Sequence, residues 1–376
     1  MHGCFVIWTI LYSNTNFKTQ FQFGMDGTAI VLTNGLLHTQ HAKTAHGLIR
    51  GTERFQILGI IDHVSAGKDA GTVLDGRARG IPVFASLADA LSQIPQKIDF
   101  CIVGIAVAGG KLPEDFQAVL KDAIRARMSI VNGLHDFLSD LPDFQALAQE
   151  YGVKLIDVRK PKPKSELSYW SGRICTVTTP RVAVLGTDCA IGKRTTCRFL
   201  TEAACQQGLK AEMIYTGQTG WMQGGKYGFI FDATINDFVT GELESALVKC
   251  FEEARPDIMF IEGQSALRNP LGPCGSEFII SGQVKAVVLQ HKPARRYFKG
   301  TEACPVEIPS VKSEVELIRT LGAETLALTL NTDGLTPEEV QRFKALYREE
   351  LGIPVVLPLE EGVGEVLNAI RQFFNI

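Results

Sequence analysis

The sequence predicts an α/β protein built from two parallel-sheet domains, and three observations predict it. Short β-rich runs alternate with helical patterns along most of the chain. A length of 376 residues exceeds what one compact core usually takes and suits two such domains. Near mid-chain the run KPKPK, residues 160–164, breaks the alternation, because its spaced prolines prevent both helix and interior strand.

The first domain is expected over residues 25–157, with strands at 29–33, 55–61, 82–84, 100–105 and 129–132. One helix is well signalled. Pro113 suits a first helical position, Glu114 and Asp115 complement the positive end, and Arg125 and Arg127 the negative end. The opening strand–loop–helix lacks G-x-G-x-x-G, so no dinucleotide fingerprint is present. Asn34 and Gly35 close the first strand and Asp62 the second. Lys43, Thr44, His46 and Arg50 follow as polar groups whose default role is that of solvated helix residues. Residues 158–180 are expected to be a solvated linker. Residues 1–24 hold the apolar run CFVIWTILY without a preceding lysine or arginine or a following small-residue cleavage site. They are expected to be a disordered tail or the product of an upstream start.

Composition narrows the function classes. Hydrophobic residues at 45% and charged residues at 21% describe an ordinary soluble protein. A net charge of −3 with no long basic run argues against nucleic acid. No apolar run is long enough to span a membrane. Nine cysteines, an odd number with no C-x-x-C, indicate free thiols in a reducing, cytoplasmic setting.

The second domain is expected over residues 181–376, with strands at 182–185, 212–215, 258–261, 286–290, 325–330 and 354–357. Its opening run RVAVLGTDCAIGKRTTCRFL carries the strongest chemical signal. An apolar strand feeds a loop between Gly186 and Gly192, and a helix follows with Phe199, Leu200, Ala203 and Ala204 as its apolar side. Glycines allow positive φ, which turns successive N–H groups inward to cradle an anion, and the helix start adds partial positive charge. The cradle comprises Gly186, Thr187, Asp188, Cys189, Ala190, Ile191, Gly192, Lys193, Arg194, Thr195 and Thr196. Lys193 is placed to reach outer phosphate oxygens, and Thr195 or Thr196 to offer a hydroxyl. The spacing departs from G-x-x-x-x-G-K-[ST], with one extra loop residue and Arg194 in the usual hydroxyl slot. Cys189 reads as a small loop residue, with no histidine base near it in sequence.

Other candidates lie where strands end, the edge at which open α/β sheets bind ligands. In PDIMFIEGQSAL, Glu262 follows a buried strand and is a candidate base or, if magnesium is used, a metal ligand with Thr195. TGQTGWMQGGKYG holds five glycines in thirteen residues and reads as a loop meeting a ligand through its backbone, with Gln218 and Thr219 as contacts. Asp232, Asp237 and Glu242 read as loop acids near the site, gripping a substrate ammonium or, for Asp237, acting as a base. His291 and Arg295 read as cations for an acidic substrate, and Asn331 as a reader of an adenine edge. For each of these the ordinary alternative is a solvated turn or helix start.

Two local resemblances bear on the fold. GTDCAIGKRT resembles the variant phosphate loop of dethiobiotin synthetase and its relatives. GIPVFASLADAL with IDFCIVGIAVAGG resembles the CoA-binding Rossmann domain of succinyl-CoA synthetase-type proteins over about 60 residues. The assembled chain resembles a family that pairs a Rossmann-like amino-terminal domain with a P-loop NTPase-like carboxy-terminal domain, long catalogued as of unknown function. The stretches KTAHGLIR, GTDCAIGKRTT, TGQTGWM, NDFVTGE and IEGQSAL carry that resemblance. The family includes D-glutamate N-acetyltransferases. The resemblance therefore implies an acetyl-CoA-dependent acetyltransferase for an acidic amino acid such as D-glutamate, with loop amides near Gly217 and Gly220 serving the oxyanion. The expected partners are a small-molecule substrate and a second copy of the chain. Two alternatives stand beside it: ATP- and magnesium-dependent ligation or kinase chemistry, and a nucleotide-binding regulator without turnover.

Overall fold

The computed structural model describes residues 26–376; the expectation for residues 1–24 lies outside them. The amino-terminal sheet contains β1 (Gly27–Leu32), β2 (Phe55–Ile61), β3 (Val83–Phe84), β4 (Phe100–Val103), β5 (Ser129–Asn132) and β6 (Leu155–Asp157). All pairings are parallel, in the order β3-β2-β1-β4-β5-β6. Helices α1 (Lys43–Arg50), α2 (Ala70–Asp75), α3 (Leu87–Gln93), α4 (Glu114–Arg125) and α5 (Pro142–Tyr151) connect them. The strand order reverses beside β1, so a crevice opens at the carboxyl ends there. Pro113 caps α4 from one position outside the helix rather than from inside it.

The carboxy-terminal sheet contains β7 (Arg181–Gly186), β8 (Ala211–Tyr215), β9 (Tyr227–Gly228), β10 (Ile258–Glu262), β11 (Ala286–His291), β12 (Glu324–Leu330) and β13 (Val355–Val356). It is again wholly parallel, in the order β13-β12-β11-β7-β10-β8-β9. Helices α6 (Lys193–Gln206), α7 (Gln218–Met222), α8 (Asn236–Ala254), α9 (Ser276–Ile280), α10 (Val311–Leu321), α11 (Pro337–Leu351) and α12 (Gly364–Phe374) cover both faces. Period-two alternation explains how. On β7, Ala183 and Leu185 join the core layer shared with α8, while Val182 and Val184 join the layer under α6 and α12. Met259 and Ile261 divide from Ile258 and Phe260 on β10 in the same way. With both faces buried, β7 runs through the middle of the sheet and delivers its loop at the sheet's carboxyl edge. Among the described residues no helix is long and apolar enough to cross a membrane, and every cysteine is a free thiol.

Two features correct the sequence reading. Strands β6 and β9 are too short to stand out as apolar runs. The stretch 158–180 is also more than a solvated connection, because it lies along α8. A Cβ on Gly241 would sit 2.0 Å from the Ser168 carbonyl oxygen, so the linker packs directly on the helix. Glu242 accepts from the Ser168 amide at 2.8 Å and from Lys162 at 2.6 Å. Glu244 accepts from the amides of Ser171 at 2.6 Å and Ile174 at 3.0 Å. Burial raises the Glu244 pKa, but these bonds outweigh it and hold the carboxyl below the ordinary glutamate range. Its stabilisation is therefore present above the unfolded-state pKa and is lost as pH falls through the folded one. Glu244→Ala leaves buried amides unpaired and is expected to cost roughly 2–4 kcal/mol, with faster hydrogen exchange at 168–174 than in the rest of the domain.

Candidate functional site

The β7–α6 loop has the geometry of an anion cradle. Ala190 (φ 52°) and Gly192 (φ 111°) occupy the left-handed region, which alternates the direction of neighbouring amides. Among the described residues, no acceptor takes any backbone N–H of residues 189–195. Gly192 begins α6 without a side-chain cap, so the first N–H groups of a fourteen-residue helix remain for a ligand. Gly186 makes room: a Cβ there would lie 2.9 Å from the Lys193 side-chain stem and from Ile191. The buried Lys193 ammonium donates to the carbonyls of Asp188 at 2.6 Å and Ser265 at 2.7 Å. Loss of water pushes its pKa down to about 8.

The loop is braced from beneath. Asp188 is fully buried and accepts from Arg295 at 2.7 Å, Asn269 at 3.0 Å and the Lys299 amide at 3.0 Å. Arg295 also donates to the Cys189 carbonyl at 2.7 Å. Asn331 donates to the Ile191 carbonyl at 3.0 Å. Thr196 donates its hydroxyl hydrogen to Gln290 at 2.6 Å, and its oxygen still offers lone pairs. Thr187 pairs with His291 Nδ1 at 2.8 Å, and Tyr347 meets Nε2 at 3.1 Å.

Three sequence expectations change accordingly. His291 is buried and desolvation lowers its pKa to about 4, so it is neutral and supplies no cation. Arg295 and Asn331 brace the loop: Arg295 Nη1 donates to Asp188 and to the Cys189 carbonyl, and Asn331 donates to the Ile191 carbonyl. Burial and then Asp188 raise the Cys189 thiol, which disfavours a thiolate nucleophile there.

Glu262 ends β10 beside the cradle and is buried. Its carboxylate accepts from the Thr216 amide at 3.1 Å, and its carbonyl from the Thr216 hydroxyl at 2.6 Å. Burial raises its pKa, opposed by Arg194, by the Thr216 and Gly217 amides and by Lys193. The Gly217 amide thus faces Glu262 instead of an oxyanion. Gly220 permits the approach, since a Cβ there would be 2.9 Å from the Glu262 carboxylate. Asp237 and Glu242 belong to α8 rather than to a loop. Asp237 is exposed in the first turn, where it complements the helix dipole. Asp232 is engaged by Arg159 at 2.7 Å and is not free for a substrate ammonium.

The glycine-rich segment after β8 folds into α7 instead of an open loop. Its glycines admit Tyr215: a Cβ on Gly228 would meet the Tyr215 carbonyl oxygen at 2.1 Å. Helix α7 then docks the amino-terminal domain. Gln223 donates to the carbonyls of Gly47 at 2.8 Å and Gly51 at 2.9 Å, where α1 ends. Arg54 stacks on Trp221 at 4.2 Å and donates to its carbonyl at 2.8 Å. Thr44 and Thr219 hydroxyls meet at 3.3 Å. A Cβ on Gly47 would lie 2.8 Å from the Arg194 guanidinium, so α1 rests against the cradle's helix. The sequence reading gave the polar groups of α1 the default role of solvated helix residues, although KTAHGLIR carries part of the family resemblance.

Comparison with known proteins agrees with this architecture. A family model described as a domain of unknown function (DUF1611_C), P-loop domain, matches residues 168–367. A second, described as a domain of unknown function (DUF1611_N), Rossmann-like domain, matches residues 64–161. A D-glutamate N-acetyltransferase from a Pseudoalteromonas species is 29% identical over 273 residues, covering 71% of this chain and 79% of the relative. A D-glutamate N-acetyltransferase from Tritonibacter scottomollicae is 28% identical over 276 residues, covering 72% and 80%. The crystal structure of a DUF1611 family protein from Anabaena variabilis superposes with a TM-score of 0.83 at 31% identity, covering 92% of this chain and 99% of that one. With a parallel Rossmann-like sheet leading into a parallel sheet that carries a braced phosphate loop, this chain belongs to the DUF1611 family.

Proposed function

We propose that the protein transfers the acetyl group of acetyl-CoA to the amine of an acidic amino acid, with D-glutamate, the substrate in the names of two relatives, as first candidate. The observation that carries this reading is the buried Glu262 carboxylate set beside a loop whose amides 189–195 have no acceptor. The loop and Lys193 suit the phosphates of a CoA, and Glu262 suits removal of a proton from the attacking amine. As the C–N bond forms and the C–S bond breaks, the thiol leaves with CoA and the amine's proton passes to base. A carboxylate whose pKa is raised by burial is a stronger base than a solvated one.

The donor set fits an ATP–magnesium reaction less well. Arg194 fills the slot of the usual hydroxyl ligand, which leaves the Thr195 and Thr196 hydroxyl oxygens and Glu262 as ligands.

The test is a thiol-release assay with acetyl-CoA and a panel of D- and L-amino acids, beside a thermal-shift panel of CoA, acetyl-CoA, ATP and ADP with and without magnesium. Thiol release with an acidic amino acid and a shift by acetyl-CoA are expected. Lys193→Ala is expected to abolish that shift and to lower kcat/KM by about 10²–10³-fold. No release across the panel would remove the acetyltransferase reading. A magnesium-dependent ATP shift would favour ligase or kinase chemistry, and binding without turnover would favour a regulator.

A further inference from the structure

Helix α1 brings an unusual set of charges to the cradle. It carries Lys43 and Arg50 and no acidic residue. Its first turn is fixed against α7 by the Thr44–Thr219 contact, and its middle against Arg194 at Gly47. Neighbouring cations of the site are matched: Arg295 with Asp188, Arg159 with Asp232, Lys292 with Asp333. Among the described residues Lys43, Arg194 and Lys299 have no carboxylate in ion-pair contact. Lys43 is exposed to solvent, yet it lies in a groove where loss of water, then Arg159 and Arg194, lower its pKa. Lys43 faces the like charges of Arg159, Arg194 and Lys299, of which Arg194 has Glu262 as a counter-charge, and an anion beside Lys43 relieves the remaining repulsion.

An independent feature points to a ligand at the same seam. Gln218 is 5% exposed. Its side chain reaches Gly133 of the amino-terminal domain, where a Cβ would be 2.9 Å from its Cγ. Among the described residues its amide has no hydrogen-bond partner. The primary amide of this largely buried side chain offers two donors and an acceptor, enough to engage a carboxylate or an amine. Gly133 also receives Arg159 at 2.6 Å, which joins this point to the cations around Lys43.

We infer that a carboxylate of the amino-acid substrate binds between Lys43 and Arg194, with Gln218 beside it, so that the amino-terminal domain supplies the residue that selects an acidic substrate. This rests on the acetyltransferase reading and deepens it. A dicarboxylic amino acid brings one carboxylate more than a neutral one and compensates the excess cation. A neutral analogue leaves desolvated charge unmatched, which is how such a site discriminates.

Steady-state kinetics of the full-length protein with Lys43→Gln and Lys43→Arg test the inference. Lys43→Gln is expected to raise KM for D-glutamate by roughly tenfold or more while kcat changes little. It is expected to affect D-glutamine less and to leave KM for acetyl-CoA unchanged, and Lys43→Arg is expected to restore most of the loss. An unchanged KM for D-glutamate, or a raised KM for acetyl-CoA instead, overturns the assignment. Calorimetric titration of D-glutamate into wild type and Lys43→Gln separates the two readings. Lys43-dependent binding without thiol release would sink the acetyltransferase reading and keep the anion site. Binding equal in both proteins, or in neither, would sink the site.

Discussion

Asp188→Ala is expected to lower the stability of the carboxy-terminal domain by about 3–5 kcal/mol, the usual cost of stranding a buried partner charge. The Asp188 side chain is fully buried, and the substitution leaves Arg295, Asn269 and the Lys299 amide without their acceptor. Chemical denaturation measures the loss, and the acetyl-CoA thermal shift should vanish with it. Asp188→Asn keeps the shape and one acceptor oxygen, so its loss should be smaller. An alanine variant as stable as wild type would show that Arg295 does not need this carboxylate, and the braced-loop account would fail.

The second large effect belongs to Glu262. Glu262→Gln keeps shape and removes the base, so thiol release should fall by about 10²–10⁴-fold. Wild-type kcat/KM should decline as pH falls through the raised Glu262 pKa, because only the carboxylate accepts the amine's proton. The residual rate of the variant should lack that acid limb. Stability should move the other way. A carboxyl whose folded pKa is raised costs stability above its unfolded pKa, so Glu262→Gln should melt no lower than wild type at neutral pH. Any gain should disappear below the ordinary glutamate value of about 4.3. A variant with lower stability and an unchanged pH profile would make Glu262 a structural acid.

Much of the frame was legible in the sequence because its signals are local. The runs at 55–61 and 129–132 are strands at those residues. Residues 182–185 form the middle of β7, and the loop after them begins a helix at Lys193. The misread residues share one cause, partners distant in sequence. Arg295 and Asp188 are 107 positions apart, and Arg159 and Asp232 are 73 apart. No periodicity records that His291 is buried between Thr187 and Tyr347. The glycines after β8 looked like freedom and are room for Tyr215. Glu242 on α8 looked like a ligand and is an anchor of the linker. The part of α1 in the site was hidden because it depends on docking between two domains.

That docking has a consequence for how such chains diverge. Gln223 grips main-chain carbonyls at Gly47 and Gly51, which every residue type possesses. The grip therefore does not depend on which side chains α1 carries, whereas it does depend on the glutamine and on the small residue at position 47. A homologue that kept both after losing most surrounding identity would retain the same closure of its two halves.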